Sequence, residues 1–123
     1  MKTILMEFPS FEERWKEHLN YWGEEEAGLC NDMAEFSYHV VDLIVSGDTE
    51  NLAVIFKLIE RLMSDGDEDV KDCVATCFLE NLMNRVSDDV FPAANFVHLL
   101  GPESRAYCKA WDEFTGVRTK GLW

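Results

Sequence analysis

The sequence predicts an all-α fold, a compact bundle of five to six helices arranged as antiparallel hairpins. Apolar residues recur at three- and four-residue spacing along most of the chain, which is the period of one helix face. Gly47, Gly66 and Gly101 each interrupt such a segment, as helix stops do. With 123 residues and a hydrophobic content of 47%, the chain is long enough for one core. We therefore expect a single domain over residues 1–123.

The first two helices are predicted from capping signals and apolar stripes. Ser10 and Glu13 form a capping-box pair, after which aromatic and leucine side chains recur at helical spacing until Gly23. A second helix over residues 24–46 has an inward apolar stripe and stops at Gly47. Its opposite, outward face carries the polar residues Asp32, Glu35, His39 and Asp42.

The third and fourth predicted helices follow after short links. Asp48 or Thr49 caps a helix through residue 64, which is apolar on almost every side and therefore belongs at the centre of the bundle. Asp67 caps a fourth helix with an inward apolar stripe. Short links favour antiparallel neighbours, so the second and fourth helices should run parallel on one side of the third. The outward face of the fourth helix carries Asp69, Asp72, Thr76 and Glu80.

The C-terminal part of the chain predicts two more helices and a tail. Aspartates and a proline within residues 88–92 mark the start of a short helix, and the Gly101–Pro102 pair separates it from a last helix. That last helix should end at about residue 114. Residues 115–123 contain glycine and are slightly basic, so we expect a loosely held tail unless Leu122 and Trp123 dock.

Charge is concentrated in the middle of the chain. The formal net charge is −13, which argues against a nucleic-acid surface because phosphate binding needs clustered lysine and arginine. Residues 24–89 hold 17 acidic and four basic residues, whereas the rest of the chain carries seven of each sign. Such segregation favours a basic protein as partner.

A candidate surface follows from this charge and from the predicted helix packing. If the second and fourth helices lie side by side, their outward stripes combine into one acidic surface. Tyr38 and Trp123 are difficult to place in a core, so they are candidate aromatic anchors of an otherwise polar interface. The predicted partner-binding residues are Asp32, Glu35, Tyr38, Asp42, Asp69, Asp72 and Glu80.

The cysteines and the apolar runs indicate a cytoplasmic protein with no membrane contact. Three of the four cysteines fall at apolar helical positions in a chain that starts without a secretory signal, so reduced core thiols are expected. No apolar run reaches the ~20 residues that cross a bilayer. We also expect no cofactor and no metal site. The cysteines are Cys30, Cys73, Cys77 and Cys108.

One enzyme class remains as an alternative. Asp32 with Glu35, and Asp69 with Asp72, are carboxylate pairs three residues apart on separate helices. All-helical magnesium-dependent nucleotide pyrophosphohydrolases hold their metal in this way. The inward stripes, however, supply no buried carboxylates, and the sequence has no nucleophile elbow and no phosphate-binding glycine loop. We therefore expect a protein that is not an enzyme and has no catalytic residues.

Two segments resemble known families. Residues 67–82, with an acidic start, a Val70–Lys71 pair and regularly spaced apolar residues, resemble the second helix of a HEAT-type repeat. Residues 100–107, followed by Trp111 and Phe114, look like the C-terminal helix of small acidic bacterial immunity proteins. Those proteins belong to contact-dependent growth inhibition and related polymorphic-toxin systems.

The second resemblance implies a non-enzymatic inhibitor. Such a protein binds one cognate toxin domain, often a basic nuclease, and blocks its active site or substrate groove. An acidic face would speed the encounter with a basic toxin and exclude its substrate. The HEAT-like segment implies an alternative, a short helical adaptor for protein–protein interaction.

Overall fold

The computed structural model describes residues 8–23 and 28–122, and every regular element within these ranges is helical. The predicted all-α bundle is therefore confirmed. The α-helices are α1 Glu12–Trp22, α2 Leu29–Ser46, α3 Leu52–Asp65, α4 Glu68–Val74, α5 Glu80–Ser87 and α6 Pro102–Thr115. The 3-10 turns are Pro9–Phe11, Ala93–Asn95 and Val97–Leu99, and the π-helical segment is Ala75–Leu79. In the described ranges, no helix combines the length and the apolar character needed to cross a membrane.

The first two helices begin a few residues away from their predicted starts. A 3-10 turn at Pro9–Phe11 precedes α1, so Ser10 lies within this turn rather than ahead of the helix. The predicted start of the second helix at residues 24–27 lies outside the described residues. The helix itself is α2, which begins at Leu29.

The link between α2 and α3 differs from its predicted form. α2 ends at Gly47, whose φ of 80° lies in the left-handed region that favours glycine. The Asp48 N–H donates to the Leu43 carbonyl oxygen at 2.9 Å, which closes the end of α2. Asp48 therefore terminates one helix instead of starting the next. α3 begins only at Leu52, so the predicted cap at Asp48 or Thr49 is wrong.

α2 runs parallel to the long rod formed by α4, the π-helical segment and α5. Residue numbers increase in the same direction along both segments from one contact to the next. Such an order of contacts occurs only between parallel neighbours. These contacts are the Cys30–Cys73 disulfide, the Phe36–Phe78 ring contact at 5.7 Å and the Asn81 Nδ2 to Ser37 Oγ hydrogen bond at 3.1 Å. The predicted parallel arrangement is confirmed, and α3 packs antiparallel to the rod through Phe56 and Phe78.

The π-helical segment interrupts the region that resembles a HEAT helix. Two side chains bond to backbone carbonyls there, since Thr76 Oγ1 donates to the Asp72 oxygen and Asn81 Nδ2 donates to the Cys77 oxygen, both at 2.7 Å. Such side-chain bonds compete with the regular helical ladder. The result is one wide turn, Ala75–Leu79, in an otherwise continuous rod.

Two of the cysteines are bonded to each other. Parallel packing brings the Cα atoms of Cys30 and Cys73 to 4.6 Å, and their sulfurs form a disulfide. The expectation of reduced thiols is wrong for this pair, because it considered each helix alone and not which residues the packing brings together. It holds for Cys77 and Cys108. Burial raises the pKa of the Cys108 thiol to about 12, so this thiol is an unreactive core group.

The core lies between α2, α3 and the rod, but α3 is less central than predicted. Its buried face consists of Leu52, Ile55, Phe56, Leu58 and Ile59. The other side reaches the surface, where Val54 is 49% exposed. A helix that is apolar on almost every side can therefore still lie at the edge of a small bundle.

Glu60 of α3 holds the start of α6 in place. Its two carboxylate oxygens accept hydrogen bonds from the backbone N–H groups of Glu103 and Ser104, each at 2.9 Å. These are donors that a helix N-terminus leaves unpaired. At Gly101, an added Cβ would lie 2.4 Å from Glu60 Cγ. A larger residue at Gly101 would therefore displace the Glu60 side chain from the start of α6.

The C-terminal segment is held against the bundle. Buried Asp112 accepts hydrogen bonds from the Thr119 N–H at 2.7 Å and from the Thr119 hydroxyl at 2.8 Å. Arg105 donates to the Leu122 carbonyl oxygen at 2.9 Å, and the Leu122 side chain is only 1% exposed. We expected a loosely held tail over 115–123 unless Leu122 and Trp123 docked, and Leu122 does dock. Trp123 lies outside the described residues.

Candidate partner-binding face

α1 covers the acidic stripe of α2. The guanidinium of Arg14 forms an ion pair with Glu35 at 3.6 Å and a hydrogen bond with Asp42. One turn later, His18 Nε2 lies 3.0 Å from Asp32 Oδ1. The side chains of Asp32 and Glu35 are only 20% and 22% exposed as a result. Two of the predicted partner-binding residues therefore lie largely within the protein, while Asp42 remains exposed.

Tyr38 is a residue of α2 that lies between α1 and α5. Its ring is 38% exposed, and the guanidinium of Arg85 from α5 lies 5.8 Å from the ring centroid. This distance is typical of a cation–π contact. The expectation that Tyr38 reaches the surface is confirmed, although one cation of the chain already contacts it.

The acidic stripe of the rod faces a different neighbour. Glu80 accepts a hydrogen bond from the Tyr107 hydroxyl of α6. Burial, this hydrogen bond and the nearby negative charge of Asp72 all raise the pKa of Tyr107 above its ordinary value. Asp69 and Asp72 themselves are exposed.

The seven predicted residues therefore do not form one acidic surface. Helices α2 and α4 lie side by side as expected, but the α2 stripe faces α1, whereas Glu80 on the rod faces α6. The prediction treated both outward stripes as open to solvent. It did not include the helices at the two ends of the chain, which pack against these stripes.

An open groove lies between α1 and α2. It has a volume of about 380 Å³ and is lined by Glu17, His18, Tyr21, Trp22, Asn31, Ala34, Glu35 and Tyr38. We call these eight residues the α1–α2 groove. A second depression of about 300 Å³ continues past Tyr38 and is lined by Tyr38, Val41, Asp42, Arg85 and Val90. Three predicted residues, Glu35, Tyr38 and Asp42, thus lie along one continuous stretch of surface.

Two lining residues of the groove, His18 and Trp22, belong to a cluster of aromatic and imidazole rings. The His18 ring lies between two tryptophans, 5.4 Å from the Trp15 ring and 6.4 Å from the Trp22 ring. Asp32 holds one of its ring nitrogens. Because His18 is buried and contacts Asp32 of α2, it holds α1 against α2 beneath the groove.

Tyr21 forms the exposed rim of the groove. It is 84% exposed, and among the described residues its ring contact is with Trp22, with the two planes at 83°. Glu17 lies one turn earlier on α1 and is also exposed. The groove therefore combines carboxylate charge with accessible aromatic area, and aromatic residues are enriched at binding surfaces.

The carboxylate pairs of the enzyme alternative are not brought together. Asp32 and Glu35 contact α1, whereas Asp69 and Asp72 are exposed on α4. Among the described residues, no group of three or more histidine, cysteine, aspartate or glutamate side chains is arranged to hold a metal ion. Asp67 acts as the predicted helix cap, since its Oδ1 accepts from the Val70 N–H at 2.9 Å.

Sequence reasoning missed Glu17, His18 and Tyr21, although a signal for α1 was present. Arg14 and His18 are four residues apart and therefore share one helix face. Their spacing complements that of Glu35 and Asp32 on α2. A search for opposite charges at matching helical spacing could thus have predicted that α1 covers this stripe.

A family model described as Domain of unknown function (DUF7674) matches residues 1–116. No curated protein and no solved structure matches the chain.

Proposed function

The chain belongs to the DUF7674 family, and we propose that it is an immunity protein that binds and neutralises a cognate basic toxin domain. The partner is a toxin of the contact-dependent inhibition or polymorphic-toxin type, with a basic nuclease domain as the first candidate. The protein inhibits by occupying the toxin's active site or substrate groove. It performs no chemical step itself.

The observation that carries this proposal is the open α1–α2 groove, where exposed aromatic rings stand beside carboxylates. Tyr21 and Tyr38 offer large, rigid contact area at a low cost in side-chain entropy. Glu17 and Glu35 supply negative charge in the same groove. Aromatic anchors of this kind dominate the binding energy of many interfaces, while charges around them set specificity and encounter rate.

Exposed carboxylates elsewhere support the same partner chemistry. Asp42 lies next to the groove, and Asp69 and Asp72 are exposed on α4. Together with the net charge of −13 they create a negative field that attracts a basic protein. The field extends over about 8 Å at physiological ionic strength, so its effect on the association rate should fall as salt rises.

Inhibition would follow from competition for a phosphate-binding surface. A nuclease binds its substrate through clustered lysine and arginine side chains. Carboxylates that occupy this surface exclude the nucleic acid by charge and by volume. The proposed location is the cytoplasm, where such a nuclease finds its substrate. The Cys30–Cys73 disulfide is a feature more typical of oxidising compartments.

The proposal predicts that a toxin gene lies directly upstream of this chain's gene, and the test uses the toxin domain encoded there. Co-expression should restore growth to cells that produce the toxin domain, and calorimetry should detect a complex of the two purified proteins. Tyr21→Ala should weaken the complex about tenfold, a loss typical of an aromatic anchor. Phe114→Ala is the matched control, because Phe114 is 82% exposed but lies on α6, away from the groove.

Two results would contradict the proposal. The first is a toxin domain that still arrests growth when this protein is present in excess. The second is an equal loss of affinity in the Tyr21 and Phe114 variants, because a general effect of exposed aromatic residues would then replace a defined binding face.

A further inference from the structure

We propose that the α1–α2 groove recognises an arginine side chain of its partner, with the guanidinium stacked on tyrosine and paired with glutamate. This inference rests on the proposed function, since the arginine belongs to the basic protein that is bound. It adds the chemical group that the groove selects. The groove is small, about 380 Å³, which suits one long side chain better than an extended ligand.

The same side chains already contact guanidinium groups of this chain. Arg14 contacts Glu35 from the α1 side, and Arg85 lies over the ring of Tyr38 from the α5 side. Carboxylate pairing and ring stacking are two common ways in which proteins hold a guanidinium. Glu35 shows the first of these contacts and Tyr38 the second, and both residues also line the open groove.

The charge around the groove favours an additional cation. Arg14 and Arg85 bring two positive charges close to the groove, and His18 adds a third when it is protonated. Four carboxylates face them from α1 and α2, and the repulsion of an incoming arginine by Arg14 and Arg85 is therefore more than offset. These carboxylates are Glu17, Asp32, Glu35 and Asp42.

Exposed groups at the rim provide the contact area for the incoming side chain. Tyr21 presents most of its ring to solvent, and Glu17 precedes it by one helical turn on the same side of the groove. A guanidinium over the Tyr21 ring would lie within reach of a carboxylate on the same helix. Arginine fits this arrangement better than lysine, because its group is planar, stacks on rings, pairs with carboxylates through two N–H bonds and is more weakly hydrated.

The test uses blocked amino acids rather than the toxin. The full chain, labelled with ¹⁵N, is titrated by NMR with N-acetyl-arginine amide, N-acetyl-lysine amide and N-acetyl-citrulline amide. Citrulline keeps the shape of arginine but lacks its charge. We expect the arginine probe to bind with a Kd of about 1–10 mM, since a single side chain makes only a few contacts, and to shift amide signals of groove residues.

The test depends on how strongly the arginine probe binds compared with the lysine and citrulline probes. The lysine probe should bind at least about threefold more weakly than arginine because ammonium does not stack as a guanidinium does. The citrulline probe should produce no saturable shift. Glu17→Gln with Tyr21→Ala should weaken arginine binding about tenfold or more, while Phe114→Ala should leave it unchanged. Both groove residues are exposed, and the thermal unfolding curve of the double variant verifies that it folds.

Three results would overturn the inference. One is an arginine titration without saturable shifts, another is equal binding of citrulline, and the third is a set of shifts centred on Asp69 and Asp72 instead of the groove. The outcome is also separable from that of the proposed function. Arginine binding by a protein that does not neutralise the toxin would refute the immunity role alone, whereas neutralisation without arginine selectivity would refute the groove's preference alone.

Discussion

The acidic stripes of α2 and α4 look alike in sequence but differ in their surroundings. Each begins with two carboxylates three residues apart, Asp32 and Glu35 on one helix and Asp69 and Asp72 on the other. On α2 the pair is bonded to Arg14 and His18 of α1. On α4 both members remain exposed. Whether an outward carboxylate stabilises the fold or is accessible to a partner therefore depends on the helix that packs beside it.

This difference changes where a partner would bind. The α2 carboxylates stabilise the α1–α2 contact and help to build the groove, so their role is partly structural. Asp69 and Asp72 contribute exposed charge outside the groove, and surface charge of that kind affects association rate more than affinity. The binding energy is thus expected at the groove, and part of the electrostatic attraction is expected at α4.

The largest effect on stability is expected from the disulfide that joins the two stripe-bearing helices. Cys30 and Cys73 are 43 residues apart in sequence, so their bond restricts a long loop of the unfolded chain. Cys73→Ser should lower the free energy of unfolding by about 3 kcal/mol under oxidising conditions. Urea denaturation with and without a dithiol reductant measures this loss. Reduction should destabilise the wild type but not the variant.

Cys77→Ser is the control for this prediction, because Cys77 lies one turn further along the rod and forms no disulfide. Its unfolding curve should respond to reductant as the wild type does. Identical wild-type curves in the presence and absence of reductant would show that the bond contributes nothing to stability, and α2 and α4 would then be held together by packing alone.

An intermediate effect is expected when one carboxylate of each stripe is removed. Asp32→Ala leaves the buried imidazole of His18 without the carboxylate that holds it, which should cost about 1–2 kcal/mol of stability. Asp69→Ala removes an exposed carboxylate in the first turn of α4 and should cost no more than about 0.5 kcal/mol. Chemical denaturation of both variants measures the contrast. Equal losses of stability would mean that the contact between Asp32 and His18 of α1 does not stabilise the fold.

The smallest effect is expected from His39, which lies on α2 between the aromatic rings of Phe11 and Phe36. Burial and the positive charge of Arg14 lower the pKa of His39, and this effect outweighs the opposite influence of Asp42 and Asp48. The folded state thus favours neutral imidazole. The corresponding stability is present above the unfolded pKa of 6.5 and is lost as pH falls through the lower folded pKa.

His39→Gln should therefore lose less stability than the wild type when pH is lowered from about 7 to about 5. His98→Gln serves as the control, because His98 is exposed on a 3-10 turn far from α1. Denaturation midpoints at the two pH values provide the measurement. The prediction fails if the His39 and His98 variants lose stability to the same extent.

Local features of the fold could be predicted because their signals lie within a few residues. Gly47 ends α2, Asp67 caps α4 and Pro102 begins α6, each for reasons of backbone geometry or local hydrogen bonding. The parallel arrangement of α2 and the rod also followed from sequence, since two short links leave few other topologies. Tyr38 was correctly expected at the surface.

The docked tail and the disulfide depend on contacts that no local sequence pattern predicts. The docked tail depends on Asp112 meeting Thr119 and on Arg105 meeting the backbone of Leu122. The disulfide depends on the axial register of α2 against α4. This register cannot be predicted from apolar periodicity or from turn residues, because each of these patterns describes a single helix.

The sequence by itself determined that this chain forms a helical bundle with a strongly acidic middle, since helix periodicity, capping residues and charge are local and additive. Only the tertiary structure decided which carboxylates remain accessible, because that depends on how α1 and α6 pack against helices distant in sequence. The same packing placed Tyr21 and Glu17 beside Tyr38 and Glu35. A binding groove formed by two helices is a property of their contact, and neither helix alone contains it.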